Sequence, residues 1–105
     1  MVNNELDLTD YSVKNESVFV AAPGENLISL SILGGYERSG TGSSYAAAHV
    51  TAMAAMAKQA DPEMTVPDFR ELLKTTSKDM GDEGYDTSYG WGVIDFPAFA
   101  KEVTK

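Results

Sequence analysis

A chain of 105 residues, 43% hydrophobic and 23% charged, makes at most one globular domain, near the low end of what holds a core unaided. Its 16 acidic side chains against 8 basic ones leave a net charge of -8, with the basic residues scattered singly, which excludes capture of nucleic acid or of an anionic membrane surface. The absence of Cys excludes a disulfide framework, a thiolate metal site and a thiol nucleophile, and no run of about 18 apolar residues is present to span a bilayer.

Met1 to Glu16 is polar and interrupted and is expected to be loop or frayed end. Its opening, Met1-Val2-Asn3-Asn4-Glu5, has neither the positive region nor the apolar core of a signal peptide, so a secreted or cell-envelope setting would need a signal upstream. Asn15-Glu16-Ser17 is a glycosylation sequon by pattern alone. Ser17-Val18-Phe19-Val20-Ala21-Ala22, stopped by Pro23-Gly24, suits a strand buried on both faces. Leu27 to Leu33 is a second strand candidate ended by Gly34-Gly35, and Tyr36 to Ser43 reads as loop. A helix is expected from Ser43 or Ser44 to about Ala60, where Asp61-Pro62 stops it. A second begins at Thr65, which has capping-box spacing to Asp68, and turns Val66, Phe69, Leu72 and Leu73 to one side. After a Gly- and Asp-rich connection comes Tyr89-Gly90-Trp91-Gly92-Val93-Ile94, and then a short helix capped by Asp95 with Pro97 in its first turn.

The Ala-rich helix has only His49 and Thr51 as polar residues between Tyr45 and Ala57. A helix apolar nearly all round is expected to be buried, and two strands with two short helices cannot easily surround it. The chain therefore reads as part of a larger body, the rest being supplied by the same or a separate chain. The alternative is a homodimer in which exposed apolar surface forms the seam.

Gly42-Ser43-Ser44-Tyr45 is a loop-to-helix junction, where a serine hydroxyl can be exposed beside free backbone N–H groups that would hold an oxyanion. The plain alternative is an N-cap serine. The wider segment Gly42-Ser43-Ser44-Tyr45-Ala46-Ala47-Ala48-His49-Val50 resembles the nucleophile motif of the subtilisin-like serine peptidases, G-T-S-x-A-x-P-H-V, with Ser43 in place of Thr and Ala48 in place of Pro. Val18-Phe19-Val20-Ala21-Ala22-Pro23-Gly24 resembles that family's strand and A-P-G turn, and Tyr89-Gly90-Trp91-Gly92 its closing Y-G-x-G segment. The resemblance runs from about Tyr11 to Val103.

It implies an α/β fold: the C-terminal portion of a subtilisin-like catalytic domain, with two short strands, a buried Ala-rich helix and two further helices around a sheet that is parallel in the complete domain. By the same resemblance Ser44 is the catalytic nucleophile. Its N–H would be an oxyanion donor that the Ser43 hydroxyl could assist, and Gly42 would leave room for the substrate backbone. The family's catalytic His and Asp and its oxyanion Asn lie upstream of this segment, so the chain alone is expected to be an inactive part of an endopeptidase acting on peptides or proteins. A pseudo-peptidase or a stand-alone interaction module is the alternative.

His49 cannot replace the missing base. Five residues after Ser44 on one helix, it is rotated by about 140°, and its expected role is a hydrogen bond within a buried helix. Asp79, Asp82, Glu83 and Asp86 form an acidic loop that could attract Ca²⁺ through oxygen ligands in the complete domain, but the spacing does not follow an EF-hand and a solvated loop accounts for it. No cofactor or metal site is assigned. Met53 and Met56 read as core, and Trp91 as an aromatic anchor beside the helices.

Overall fold

A computed structural model describes residues 1–10 and 12–104; Tyr11, where the resemblance begins, lies outside the described residues. The elements are β1 (Leu27–Leu30), β2 (Tyr36–Gly40), α1 (Ser43–Ala60), α2 (Val66–Thr76) and α3 (Phe96–Val103). The architecture is α/β: a two-stranded antiparallel hairpin, then three helices with α3 packed on both α1 and α2.

Met53 and Ala57 of α1, Leu73 of α2 and Phe99 of α3 are buried together. Phe69 meets Phe99 edge to face, with ring centroids 5.9 Å apart. Met53 thus fills the core, and the helical spacing of Phe69, Leu72 and Leu73 places all three against it. The caps follow sequence rules. Thr65 Oγ1 accepts the Asp68 N–H and Asp68 Oδ2 accepts the Thr65 N–H, each at 3.2 Å, while Asp95 Oδ1 accepts the Ala98 N–H at 3.1 Å.

The Thr65 box should show in the pH dependence. The Thr65 backbone N–H, and then its side chain, hold the Asp68 carboxyl below its ordinary value. A depressed carboxyl stabilises the fold above the unfolded-state pKa, and that contribution is lost as pH falls through the folded value. The stability gap between the wild type and Asp68→Asn should therefore close as pH drops through the acid end of the carboxylate range. Unfolding midpoints of both chains against pH check this; a gap that widens on acidification would contradict it.

The strands differ from expectation. Ser17–Ala22 forms no regular strand: Ser17 belongs to a turn, Ala21 bridges Val93, and next to the segment Pro23 bridges Val2, both in parallel. Each neighbour follows it for only a residue or two, so no ladder propagates, although Ala21 and Ala22 are buried. The Val2 N–H donates to the Ala22 carbonyl at 3.0 Å, and buried Val2 joins Ala21 and Val93 in a second small core. The second strand stops at Leu30, because Ser31 to Gly35 make the turn, with the Ser31 N–H on the Gly35 carbonyl at 3.0 Å. Tyr36–Gly40 is a strand rather than loop, since that tight turn brings it back alongside β1.

The Ala-rich helix is also corrected. Only Ala46, Met53 and Ala57 are buried, and Ala47, Ala48, Thr51, Ala52 and Ala55 are exposed. Within this chain one face of α1 meets protein and the opposite, small-residue face is bare.

At the far end Trp91 is half-buried, edge-on to Tyr85 at 5.4 Å, with Lys74 Nζ of α2 lying 4.1 Å from its ring centroid. The Trp91 N–H donates to the Phe19 carbonyl at 2.7 Å and the Ile94 N–H to the Ala21 carbonyl at 2.9 Å. On the other side Val93 and Lys78 exchange both backbone bonds, at 2.8 and 2.9 Å. The closing segment is thus clamped between Phe19–Ala21 and Lys78.

Candidate active site

Three chain segments meet at the start of α1. Gly42 is the N-cap, with φ 154°, in the region that disfavours any side chain, and its carbonyl accepts from the Tyr45 and Ala46 N–H groups at 3.1 and 3.3 Å. Ser43 and Ser44 are consequently the first two residues of the helix rather than its cap. No side-chain capping bond is made, and both serines are exposed.

That placement separates the two readings of the junction. An N-cap serine spends its hydroxyl on the helix; here glycine caps, and among the described residues the Ser44 hydroxyl has no hydrogen-bond partner. The Ser43 and Ser44 backbone N–H groups likewise have no acceptor among the described residues, as expected of the first turn of a helix. A free hydroxyl and two free amides therefore share the positive end of an 18-residue helix dipole.

Gly24 of the A-P-G turn holds the junction in place. Its carbonyl accepts the Gly42 N–H at 2.7 Å, and Thr41 Oγ1 accepts the Asn26 N–H at 3.0 Å. The hairpin base and the serine loop are therefore tied at two points. A Cβ on Gly24 would stand 2.9 Å from the Gly42 carbonyl oxygen and 3.0 Å from Ala46 Cβ. Only glycine lets the turn approach this closely, which gives a physical reason for that residue in A-P-G. Sequence reading passes over Thr41, since its contact depends on hairpin register and no local spacing marks it.

If Ser44 is reactive in the longer polypeptide that also supplies the base, Gly24→Ala in that polypeptide should slow its modification by about 100-fold while the fold is kept, because a displacement of about 1 Å at a reacting group costs that much. Comparing the rate of covalent labelling at Ser44 in the two proteins measures it. An unchanged rate would show that the Gly24–Gly42 contact does not set the serine's position.

His49 takes no part in this cluster. Its Nδ1 lies 3.3 Å from the Tyr45 carbonyl oxygen, a bond that requires the Nδ1–H tautomer, and the ring is exposed. The ring does make a hydrogen bond, to the backbone, but the expected buried surroundings are absent, since the face of α1 that bears His49 is uncovered. Two carboxylates of the acidic loop, Asp79 and Asp86, bind its own backbone, while Asp86 Oδ2 is buried with no partner among the described residues. Asp79 Oδ2 accepts the Gly84 N–H at 2.7 Å, and Asp86 Oδ1 accepts the N–H groups of Ser88 and Tyr89 at 2.9 and 2.7 Å. Among the described residues no group of three or more His, Cys, Asp or Glu side chains is placed to hold a metal ion. Asn15 of the sequon makes a turn, its Oδ1 accepting the Ser17 N–H at 2.8 Å.

A groove of about 730 Å³ runs beside the junction, lined by Val18, Val20, Ala22, Ala46 and Val50 and reaching Gly42 and Ser43 at one end. Its lining is largely apolar, and it follows α1 away from the serines. No helix among the described residues is long and apolar enough to cross a membrane.

Comparison with known proteins places this geometry. The model of the Subtilase family matches residues 2–92. The chain is 35% identical over 100 residues to the minor extracellular protease Epr of Bacillus subtilis, covering 95% of this chain and 15% of Epr. Among solved structures it superposes on MycP1 from Mycobacterium smegmatis with a TM-score of 0.78 and 31% identity, over 94% of this chain and 28% of that one. Fervidolysin from Fervidobacterium pennivorans, a keratinolytic enzyme related to subtilisin, gives 0.76 and 27%, over 86% and 16%. The chain thus spans well under half the length of each of these relatives. With its serine junction, A-P-G turn and Y-G-x-G closure inside the matched region, the chain belongs to the subtilase family of serine peptidases.

Proposed function

We propose that Ser44 is the nucleophile of a serine endopeptidase and that this chain is the nucleophile-bearing part of its catalytic domain. The observation that carries the reading is the unspent Ser44 hydroxyl at the second position of α1, in a loop whose cap is Gly42 rather than a serine. In this role Ser44 Oγ attacks a peptide carbonyl and forms an acyl-enzyme as the amine departs, and water then releases the acid. The Ser44 N–H donates to the developing oxyanion, with the Ser43 hydroxyl near enough in sequence to assist. Gly42 keeps that approach free of a side chain.

The reading also assigns what this chain lacks. Attack needs a base to take the Oγ proton and an orienting carboxylate behind it. His49, the one His of the sequence, is tied to the Tyr45 carbonyl on the helix itself. The base, its Asp and the side-chain oxyanion donor come from polypeptide outside these residues, and the chain by itself is inactive. The apolar groove along α1 and the bare Ala47–Ala48–Thr51 face are the surfaces on which that polypeptide would pack. The substrates are peptides or proteins.

Intact mass after fluorophosphonate treatment tests the reading on the longest natural polypeptide containing these residues. A single adduct that disappears in Ser44→Ala is expected. A folded protein that takes up no adduct would leave binding or scaffolding, not proteolysis, as the use of the fold.

A further inference from the structure

Tyr45, the residue after Ser44, folds its ring back over the loop that leads into α1. A Cβ on Gly40 would stand 3.2 and 3.3 Å from its Cε1 and Cδ1, and one on Gly42 would stand 3.4 and 3.8 Å from its Cδ2 and Cε2. One edge of the ring therefore lies on Gly40, the last residue of β2, and the other on Gly42, the cap of α1. The Tyr45 N–H donates to the Gly42 carbonyl at 3.1 Å, so backbone and ring hold the same glycine. That direction is the ordinary one for a long side chain in a helix, which leans toward the N-terminus.

The ring does not fill the interior. It is 46% exposed and belongs to neither of the two apolar cores. Its hydroxyl has no hydrogen-bond partner among the described residues, which leaves the aromatic carbons to touch the loop. What the loop needs is restraint. Gly40 and Gly42 flank Thr41, and glycine loses more conformational freedom on ordering than any other residue. The Gly24–Gly42 and Thr41–Asn26 hydrogen bonds tie the loop to the A-P-G turn and the hairpin base. The ring ties it instead to the helix that carries Ser44, and both sides of that contact belong to this chain.

We propose that Tyr45 is a positioning residue for Ser44. By lying across Gly40 and Gly42, its ring sets the loop against the first turn of α1, and with it the Ser44 hydroxyl and the Ser43 and Ser44 N–H groups. This role rests on the reading of Ser44 as nucleophile; Tyr45 acts through the loop and not on the reacting atoms. Phe keeps every carbon of the ring and should serve as well, whereas Ala leaves the two glycines unrestrained. Gly40 offers an independent handle. After the Tyr45 ring, the next atom a Cβ there would meet is Leu27 Cβ, at an ordinary 3.6 Å, so Gly40→Ala disturbs the loop chiefly by pushing on the ring.

The rate of fluorophosphonate labelling, followed by intact mass on the longest natural polypeptide containing these residues, tests the proposal. The end point counts folded sites, whereas the rate reads their geometry. Tyr45→Ala should slow labelling at least about 10-fold with the end point unchanged. Its kcat on a peptide should fall in step while KM moves by no more than about twofold. Tyr45→Phe should label at the wild-type rate. Gly40→Ala should slow labelling at least about 3-fold, and should add no further slowing in the Tyr45→Ala background. Four results would each overturn the role of the ring while leaving Ser44 the nucleophile: Tyr45→Ala labelled at the wild-type rate, a lowered end point with the rate kept, Tyr45→Phe as slow as Tyr45→Ala, or full additivity with Gly40→Ala. A wild type that takes up no adduct at Ser44 would overturn both readings.

Discussion

Replacing Ser44 by Ala in the polypeptide that carries the complete catalytic domain should lower turnover about 10⁶-fold, the size known for loss of the nucleophile in subtilisin itself. KM should change little, because the substrate is held by surfaces that the Oγ does not build. Stability should also be unaffected: the Ser44 side chain is exposed, makes no hydrogen bond among the described residues and caps nothing, so its removal breaks no contact. Steady-state kinetics on an unstructured peptide, with thermal unfolding measured alongside, separate the two effects. Turnover that survives with the fold intact would move the nucleophile elsewhere. A large fall in stability would instead return Ser44 to a structural role.

The second large effect falls far from the serine. Gly92→Ala and Gly90→Ala should each cost about 3 kcal/mol or more, a large fraction of the stability of a small domain. A Cβ on Gly92 would lie 2.2 Å from the Lys78 carbonyl oxygen, and one on Gly90 2.2 Å from that of Phe19. Both obstacles are backbone, so no side chain can rotate aside. The backbone conformation adds a separate cost, since Gly90 has φ 64° and Gly92 has φ 133°. Gly34→Ala is the control: with φ 93° it carries a comparable backbone penalty but meets no neighbour, and it should cost clearly less. Denaturant midpoints for the three variants check the order. Equal losses would mean that backbone conformation, rather than close approach, explains the closing motif.

The elements legible in the sequence are those set by neighbours along the chain. The span of α1, the Thr65–Asp68 box and the Asp95 cap all match expectation, because caps and stop signals act over three or four residues. The family was also legible, from the resemblance of Gly42, Ser44, Ala46, His49 and Val50 to its motif. What spoiled the strand reading was partnership. Tyr36–Gly40 has little apolar character and became a strand by pairing with β1, while the more apolar Ser17–Ala22 had only brief neighbours.

Composition likewise foretold a helix that wants burial without saying where the cover is. Within this chain α1 buries Ala46, Met53 and Ala57 and leaves the rest of its alanines bare. The run Leu27 to Leu33 ended by Gly34-Gly35 read as a strand, yet such a run cannot say which face turns inward, and here Leu27 and Ser29 are half-buried while Ile28 and Leu30 are exposed.

The sequence by itself determined the family motifs, the helix boundaries, the exclusion of thiol chemistry and the absence of a second His to serve as base. Those are matters of residue identity and of spacing within a few positions. Only the tertiary structure decided that Gly42 rather than a serine caps α1, that Gly24 grips the serine loop, that the closing glycines lie against backbone from Phe19 and Lys78, and that Ile28 and Leu30 of the hairpin are exposed. Each of these depends on atoms brought together from distant parts of the chain, and the close approach that glycine permits becomes a requirement only once a second backbone has arrived beside it.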